Sequence, residues 1–125
     1  MPLHTLLRNV GDRYRKPLVL SETSHVGELR AEWITEVALK CRIAILQGVD
    51  FHGICIYPAI DRPDWDEPYD FHFSGLWSIN VDNKRKVYLP YAEALKEIYQ
   101  FTPHAAVKPV SSLPEPVSAK YGQSS

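Results

Sequence analysis

The chain contains only two cysteines among 125 residues, no apolar run approaching 18 residues, and no excess of either charge, with 14 Lys and Arg against 15 Asp and Glu. Each shortage excludes something. Balanced charge gives no polyelectrolyte attraction, so nucleic acid is not an expected partner. Without a long apolar run no membrane span is expected, and Met1-Pro2-Leu3-His4 lacks the charged-then-apolar pattern of a secretory signal, which makes the cytoplasm the expected compartment. Cys41 and Cys55 fall in a helical and an extended apolar stretch, a setting for buried free thiols rather than a disulfide or metal pair. The length suits one small domain.

Two stretches carry the organisation. Leu3, Leu6, Leu7, Val10 and Tyr14 recur at spacings of three and four, predicting a helix of about three turns that ends between Gly11 and Tyr14. Pro17-Leu18-Val19-Leu20 then reads as a parallel strand buried on both faces, ending at Glu22. Thr23 to Gly27 is a loop in which Ser24 or Thr23 could cap the next element. From Glu28 to Leu46, Leu29, Trp33, Val37 and Cys41 repeat every four residues beside Ile34, Ala38, Ala44 and Ile45. Glu28, Arg30, Glu32, Glu36, Lys40 and Arg42 take the other side, so an amphipathic helix of about five turns is expected, closed by Gly48. Val49 to Tyr57, with Pro58 beyond it, is a second strand.

Strand, helix and strand make one βαβ unit with parallel neighbours. Two such strands leave unpaired edges, so the sheet is expected to continue through copies of this chain or through a larger assembly. Pro58 to Lys86 is a long connection holding Asp61, Asp64, Asp66, Glu67 and Asp70 among Trp65, Tyr69, Phe71, Phe73 and Trp77, and long ordered loops are usually functional. Tyr91 to Phe101 is a third amphipathic helix. From Thr102 to Ser125 the composition turns to Pro, Ser, Ala and Val without period, the pattern of a disordered tail.

A lone carboxylate at the end of an apolar strand calls for explanation. The carboxyl ends of parallel strands open onto ligand crevices, which makes Glu22 the leading candidate for chemistry, against the alternatives of a surface carboxylate or a helix cap. Tyr57 and the Asp61 to Trp65 loop share that rim. Aromatic faces pack on pyranose rings, loop carboxylates hydrogen-bond hydroxyls, and a carboxylate at ring level can attack an anomeric carbon. The competing reading is that Trp65 and Trp77 pin the loop and that its acids form a solvated face.

Arg13-Tyr14-Arg15-Lys16-Pro17-Leu18-Val19-Leu20-Ser21-Glu22-Thr23-Ser24, the following helix, Gly48-Val49-Asp50-Phe51-His52-Gly53-Ile54-Cys55-Ile56-Tyr57-Pro58 and Asp61-Arg62-Pro63-Asp64-Trp65 resemble the last quarter of a clan A glycoside hydrolase, a β-glucosidase-like (β/α)8 TIM barrel. The resemblance covers about residues 1–101 and implies an α/β fragment from the sixth helix to the closing helix, with residues 102–125 as the tail. Where family 1 β-glucosidases have Thr-Glu-Asn-Gly, this chain has Ser21-Glu22-Thr23-Ser24. The resemblance implies that Glu22 is the nucleophile of a retaining hydrolase acting on O-glycosidic bonds, that Tyr57, Asp61, Trp65, His25 and Trp77 bind the carbohydrate, and that Tyr57 or His25 donates to Glu22. It implies that His52 packs or hydrogen-bonds in the barrel wall, and no cofactor or metal.

The clan's general acid, a glutamate after the fourth strand, has no counterpart here. The isolated chain is accordingly expected to be inactive and to need an N-terminal barrel portion. The other readings are a non-catalytic carbohydrate-binding protein and a self-assembling α/β module with calcium in the acidic loop, which lacks the Asp-x-Asp-x-Asp-Gly spacing.

Overall fold

In the computed structural model, residues 1–101 are described. Helix α1 (Leu3–Tyr14) leads into β1 (Leu18–Thr23), a 3-10 turn (Gly27–Leu29), α2 (Arg30–Leu46), β2 (Phe51–Ile56), the short strands β3 (Arg62–Pro63), β4 (Phe71–His72), β5 (Trp77–Ile79) and β6 (Arg85–Val87), and α3 (Leu89–Phe101). β1 and β2 pair in parallel, while β3–β4 and β5–β6 are separate antiparallel hairpins. The three expected helices and the βαβ unit are present. The connection read as one long loop is folded into two hairpins, and the composition-based tail lies outside the described residues.

α1 runs through Gly11 and stops where Arg15 takes a left-handed conformation, φ 48°, with its N–H donating to the Gly11 carbonyl at 2.8 Å. Neither Thr23 nor Ser24 caps α2, which is entered through the 3-10 turn with no side-chain cap. The Thr23 hydroxyl instead accepts the indole N–H of Trp33 at 3.0 Å, tying the end of β1 to the second turn of α2. At the other end Gly48 adopts φ 93°, a conformation that costs glycine nothing and turns the chain back into β2.

α2 is the central helix, touching α1 on one flank and α3 on the other, with the β1–β2 sheet beneath. Its buried line is Arg30, Ile34, Val37, Ala38, Cys41 and Ala44. This line is rotated from the expected one: Leu29 and Trp33 are exposed, and Arg30, assigned to the polar side, is inside. Leu7, Val49, Tyr91 and Ala94 complete the core, against which Leu18, Leu20, Phe51, Ile54 and Ile56 pack from the sheet.

Among the described residues the sheet is covered on one face only. Val19 is 54% exposed, and His52, Cys55 and Tyr57 are exposed on β2 and just beyond it. Burial on both faces, read from the unbroken apolar run, is therefore corrected: among the described residues no element covers the second face. Cys55 is corrected with it, being an exposed thiol, whereas Cys41 is buried. His52 is likewise at the surface, with Nε2 2.7 Å from the Asp50 carboxylate.

Candidate active-site rim

The register of β1 on β2 decides where Glu22 points. Leu20 pairs with Ile54 and Thr23 with Ile56, so Ser21 and Glu22 together oppose the single residue Cys55. That is a β-bulge, which adds one residue to a strand and reverses its alternation. Without it Glu22 would share the α2-facing side with Leu18 and Leu20. With it, Thr23 returns to that side, where it meets Trp33, and Glu22 is exposed at the carboxyl end of β1.

Tyr57 ends β2 beside it. The Tyr57 N–H donates to the Thr23 carbonyl at 3.2 Å, which locks the two strand ends together, and the ring is 39% exposed. The guanidinium of Arg62 lies 5.8 Å from the centroid of Tyr57 and 5.5 Å from that of Trp65, linking β2's end to the β3–β4 hairpin. Trp65 is 79% exposed. Tyr57, Arg62 and Trp65 are thus linked to one another, and the Thr23 carbonyl ties Tyr57 to the strand end that carries Glu22.

The other expected site residues have different surroundings. Asp61, expected to meet ligand, is buried. Its Oδ1 accepts from Arg30 Nη1 at 3.2 Å and from the Gly75 N–H at 2.7 Å, while the same Nη1 donates to the Gly75 carbonyl at 2.7 Å. Arg30 also lies over the Tyr88 ring, its Cζ 3.9 Å from the centroid. Gly75 is required at this crossing, because a Cβ there would fall 2.5 Å from the Asp61 nitrogen and 2.6 Å from the Ile60 carbonyl carbon.

His25 packs on Trp33 of α2 with ring centroids 5.3 Å apart, and its Nδ1–H donates to the carbonyl of its neighbour Val26 at 2.9 Å. Trp77 sits on the second hairpin. Its backbone holds the loop, with its N–H donating to Ala59 at 3.0 Å and its carbonyl accepting from Asp61 at 2.8 Å, while the ring is half-exposed.

Asp64, read from sequence as one of the loop acids, and His72, which the sequence did not mark, organise the hairpin. Asp64 Oδ1 accepts the N–H groups of Asp66 and Glu67 at 2.8 and 3.2 Å, and Oδ2 lies 2.8 Å from His72 Nε2. These backbone donors, with the fields of His72 and Arg62, hold the Asp64 carboxyl below its usual range. Arg62 was also missed. Its only sequence signal was a position between two aromatics, five residues after Tyr57 and three before Trp65.

Glu22, Tyr57 and Trp65 are all exposed on the rim. Two grooves, of about 350 and 400 Å³, lie elsewhere. One is between α2 and α3 beside Glu32, Glu36, Glu93 and Glu97, and the other is at the amino end of the strands beside Asp12, Arg15, Lys16 and Asp50. No group of His, Cys, Asp or Glu among the described residues is arranged to hold a metal ion, and no described helix is long and apolar enough to cross a membrane.

No protein-family model and no curated protein sequence matches the chain. Solved structures do. A GH1 β-glucosidase from the fungus Humicola insolens, in complex with glucose, superposes with a TM-score of 0.65 at 20% identity over 78% of this chain and 24% of that one. The β-glycosidase of the hyperthermophile Thermosphaera aggregans gives 0.67 at 17% identity over 78% of this chain and 21% of that one. A family 1 β-glucosidase from Thermotoga maritima, in complex with isofagomine lactam, gives 0.60 at 20% identity over 77% and 25%. The fold is therefore part of a β-glucosidase-like TIM barrel. The chain spans about a quarter of the length of these proteins, and its described residues close no barrel.

Proposed function

We propose that this chain is the carboxyl-terminal portion of a retaining glycoside hydrolase barrel, with Glu22 as the nucleophile, and that it cannot turn over substrate by itself. The observation that carries the reading is the bulge opposite Cys55, which brings Glu22 out of the helix-facing side of β1 at the carboxyl end of the strand, one residue before the Thr23 carbonyl that holds Tyr57. Bulges recur beside active sites because they re-aim one side chain without moving the sheet.

In the completed site a Tyr57 or Trp65 ring packs against the apolar face of a pyranose. The Glu22 carboxylate attacks the anomeric carbon while a carboxylic acid from the missing portion protonates the departing oxygen. Water then hydrolyses the glycosyl ester with that second group acting as base. The two carboxyl groups must stand about 5 to 5.5 Å apart, a geometry that needs the rest of the barrel. Asp61 supports this arrangement from below the rim, by fixing the loop that carries Arg62 and Trp65.

The test is complementation. The chain alone should leave aryl β-glycosides intact. Mixed with a barrel portion supplying about six strand-helix units and an Asn-Glu motif after its fourth strand, it should release the aryl group, and Glu22→Gln should lower that rate by about three orders of magnitude or more while leaving the complex assembled. Full activity in the Glu22→Gln complex overturns the assignment. A second reading, a non-catalytic carbohydrate-binding or self-assembling protein, draws support from the exposed rim residues, and sugar binding without turnover in the complemented complex would favour it.

A further inference from the structure

Arg62 is a cation whose acidic neighbours are occupied elsewhere. Both carboxylates nearest to it in sequence spend their hydrogen bonds elsewhere, Asp61 on Arg30 and Gly75 and Asp64 on the Asp66 and Glu67 amides and His72, although Asp64 still feels the Arg62 charge. No carboxylate lies within ion-pair distance of Arg62 among the described residues; its only recorded hydrogen bond runs from Nη1 to the adjacent Pro63 carbonyl at 2.9 Å, and its Nε is screened from solvent with no acceptor. The guanidinium is steadied by the Tyr57 and Trp65 rings. Directly across the β3–β4 ladder stands His72, whose Nε2 is held by Asp64 at 2.8 Å.

A guanidinium flanked by aromatics is held flat and keeps its edge donors for a planar or multidentate anion. The two rings that flank it are the surfaces on which a sugar would lie. From this arrangement we infer that Arg62 selects an anionic sugar, one whose carboxylate or phosphate group meets the guanidinium while its ring rests on Tyr57 or Trp65. The inference rests on the carbohydrate reading above and adds to it the charge of the substrate.

Three probes separate the possibilities when titrated against the 15N-labelled full chain: methyl β-D-glucuronide, glucose 6-phosphate and methyl β-D-glucoside, with binding read from backbone and arginine Nε resonances. At least one of the two anionic sugars should bind about tenfold more tightly than the neutral glucoside and should shift the Arg62 Nε signal, and whichever binds identifies the anion. Arg62→Gln should remove that preference, bringing the anionic sugar's affinity to that of the neutral glucoside in the same variant, and Arg62→Lys, which keeps charge without the fork, should retain part of it. Inorganic phosphate and acetate serve as anions without a ring. If either binds as tightly as the matching sugar, the inference fails in favour of a simple anion site. Equal affinity for all three sugars overturns the inference and leaves the carbohydrate reading standing. No binding of any sugar overturns the inference, and the carbohydrate reading then stands or falls with the complementation assay.

Discussion

Arg30 Nη1 and Asp61 Oδ1 lie 3.2 Å apart, with side chains 7% and 1% exposed, and join the start of α2 to a loop 31 residues further along the chain. The pair is buried and shares its hydrogen bonds with both backbone groups of Gly75. It fixes the Ala59–Trp77 crossing, from which the β3–β4 hairpin projects toward the rim.

Removing one partner of a buried, hydrogen-bonded pair strands the other charge, which typically costs about 3–5 kcal/mol. Asp61→Ala should therefore destabilise the chain by about 3 kcal/mol, toward the lower end because Arg30 keeps the Gly75 carbonyl and the Tyr88 ring. Asp61→Asn retains an oxygen for the Gly75 N–H and should cost less. Urea unfolding of the two variants checks the order. Equal loss would show that the charge, and not the geometry of the acceptor, holds the crossing.

How this clamp escaped the sequence reading is instructive. Arg30 was placed on the polar side of α2 because it is charged, although it stands four residues before Ile34, on the line that continues through Val37, Ala38 and Cys41. A charge on a buried stripe signals a buried partner, and Asp61 is that partner. α1, β1, α2, β2 and α3 were legible because each carries a period long enough to read. The hairpins were not, since β3 and β4 hold two residues each and β5 and β6 three, too few for alternation to show. Glu22 was legible as a strand-end carboxylate. Its exposure was not, because it depends on a bulge created only when β1 pairs with β2.

Asp64 supplies a pH dependence. Its folded pKa lies below the unfolded value, chiefly because the Asp66 and Glu67 amides favour the charged form, with His72 and Arg62 adding to it. The stability it contributes is fully present above the unfolded pKa, about 3.9, and is lost as pH falls through the folded pKa. The hairpin should thus stay closed across the neutral range and loosen only in acid. Tryptophan fluorescence from pH 7 down to pH 2 should show an acid step that is weakened in Asp64→Asn. An undiminished step in that variant would assign the transition to another group.

The two thiols should separate cleanly in reactivity. Cys41 sits 3% exposed on the buried face of α2, where burial raises its pKa to about 11, whereas Cys55 is exposed on the uncovered sheet face. The thiolate is the reactive form. Iodoacetamide at pH 8 should therefore add one label, at Cys55, and add the second only after unfolding. Once an added barrel portion covers the sheet, Cys55 should be protected as well, so the same reagent reports complementation.

The uncovered sheet face makes the last expectation the most direct. β1 and β2 are each other's only ladder partners among the described residues, so each leaves one edge of backbone donors and acceptors free, and Val19 presents apolar surface on the bare side. Such edges are templates for further strands, and a two-stranded sheet gains stability by recruiting them. The full chain should associate as its concentration rises, measured by size-exclusion chromatography with light scattering. Val19→Lys places a charge on the bare face without touching the core, so it should change folding stability by no more than about 0.5 kcal/mol while suppressing association. It should also impair assembly with an added barrel portion, because in a closed barrel that face turns inward. A wild-type chain that stays monomeric at every concentration and unfolds in one sharp step would mean that the open face is complete as it stands, and the fragment reading would fall with it.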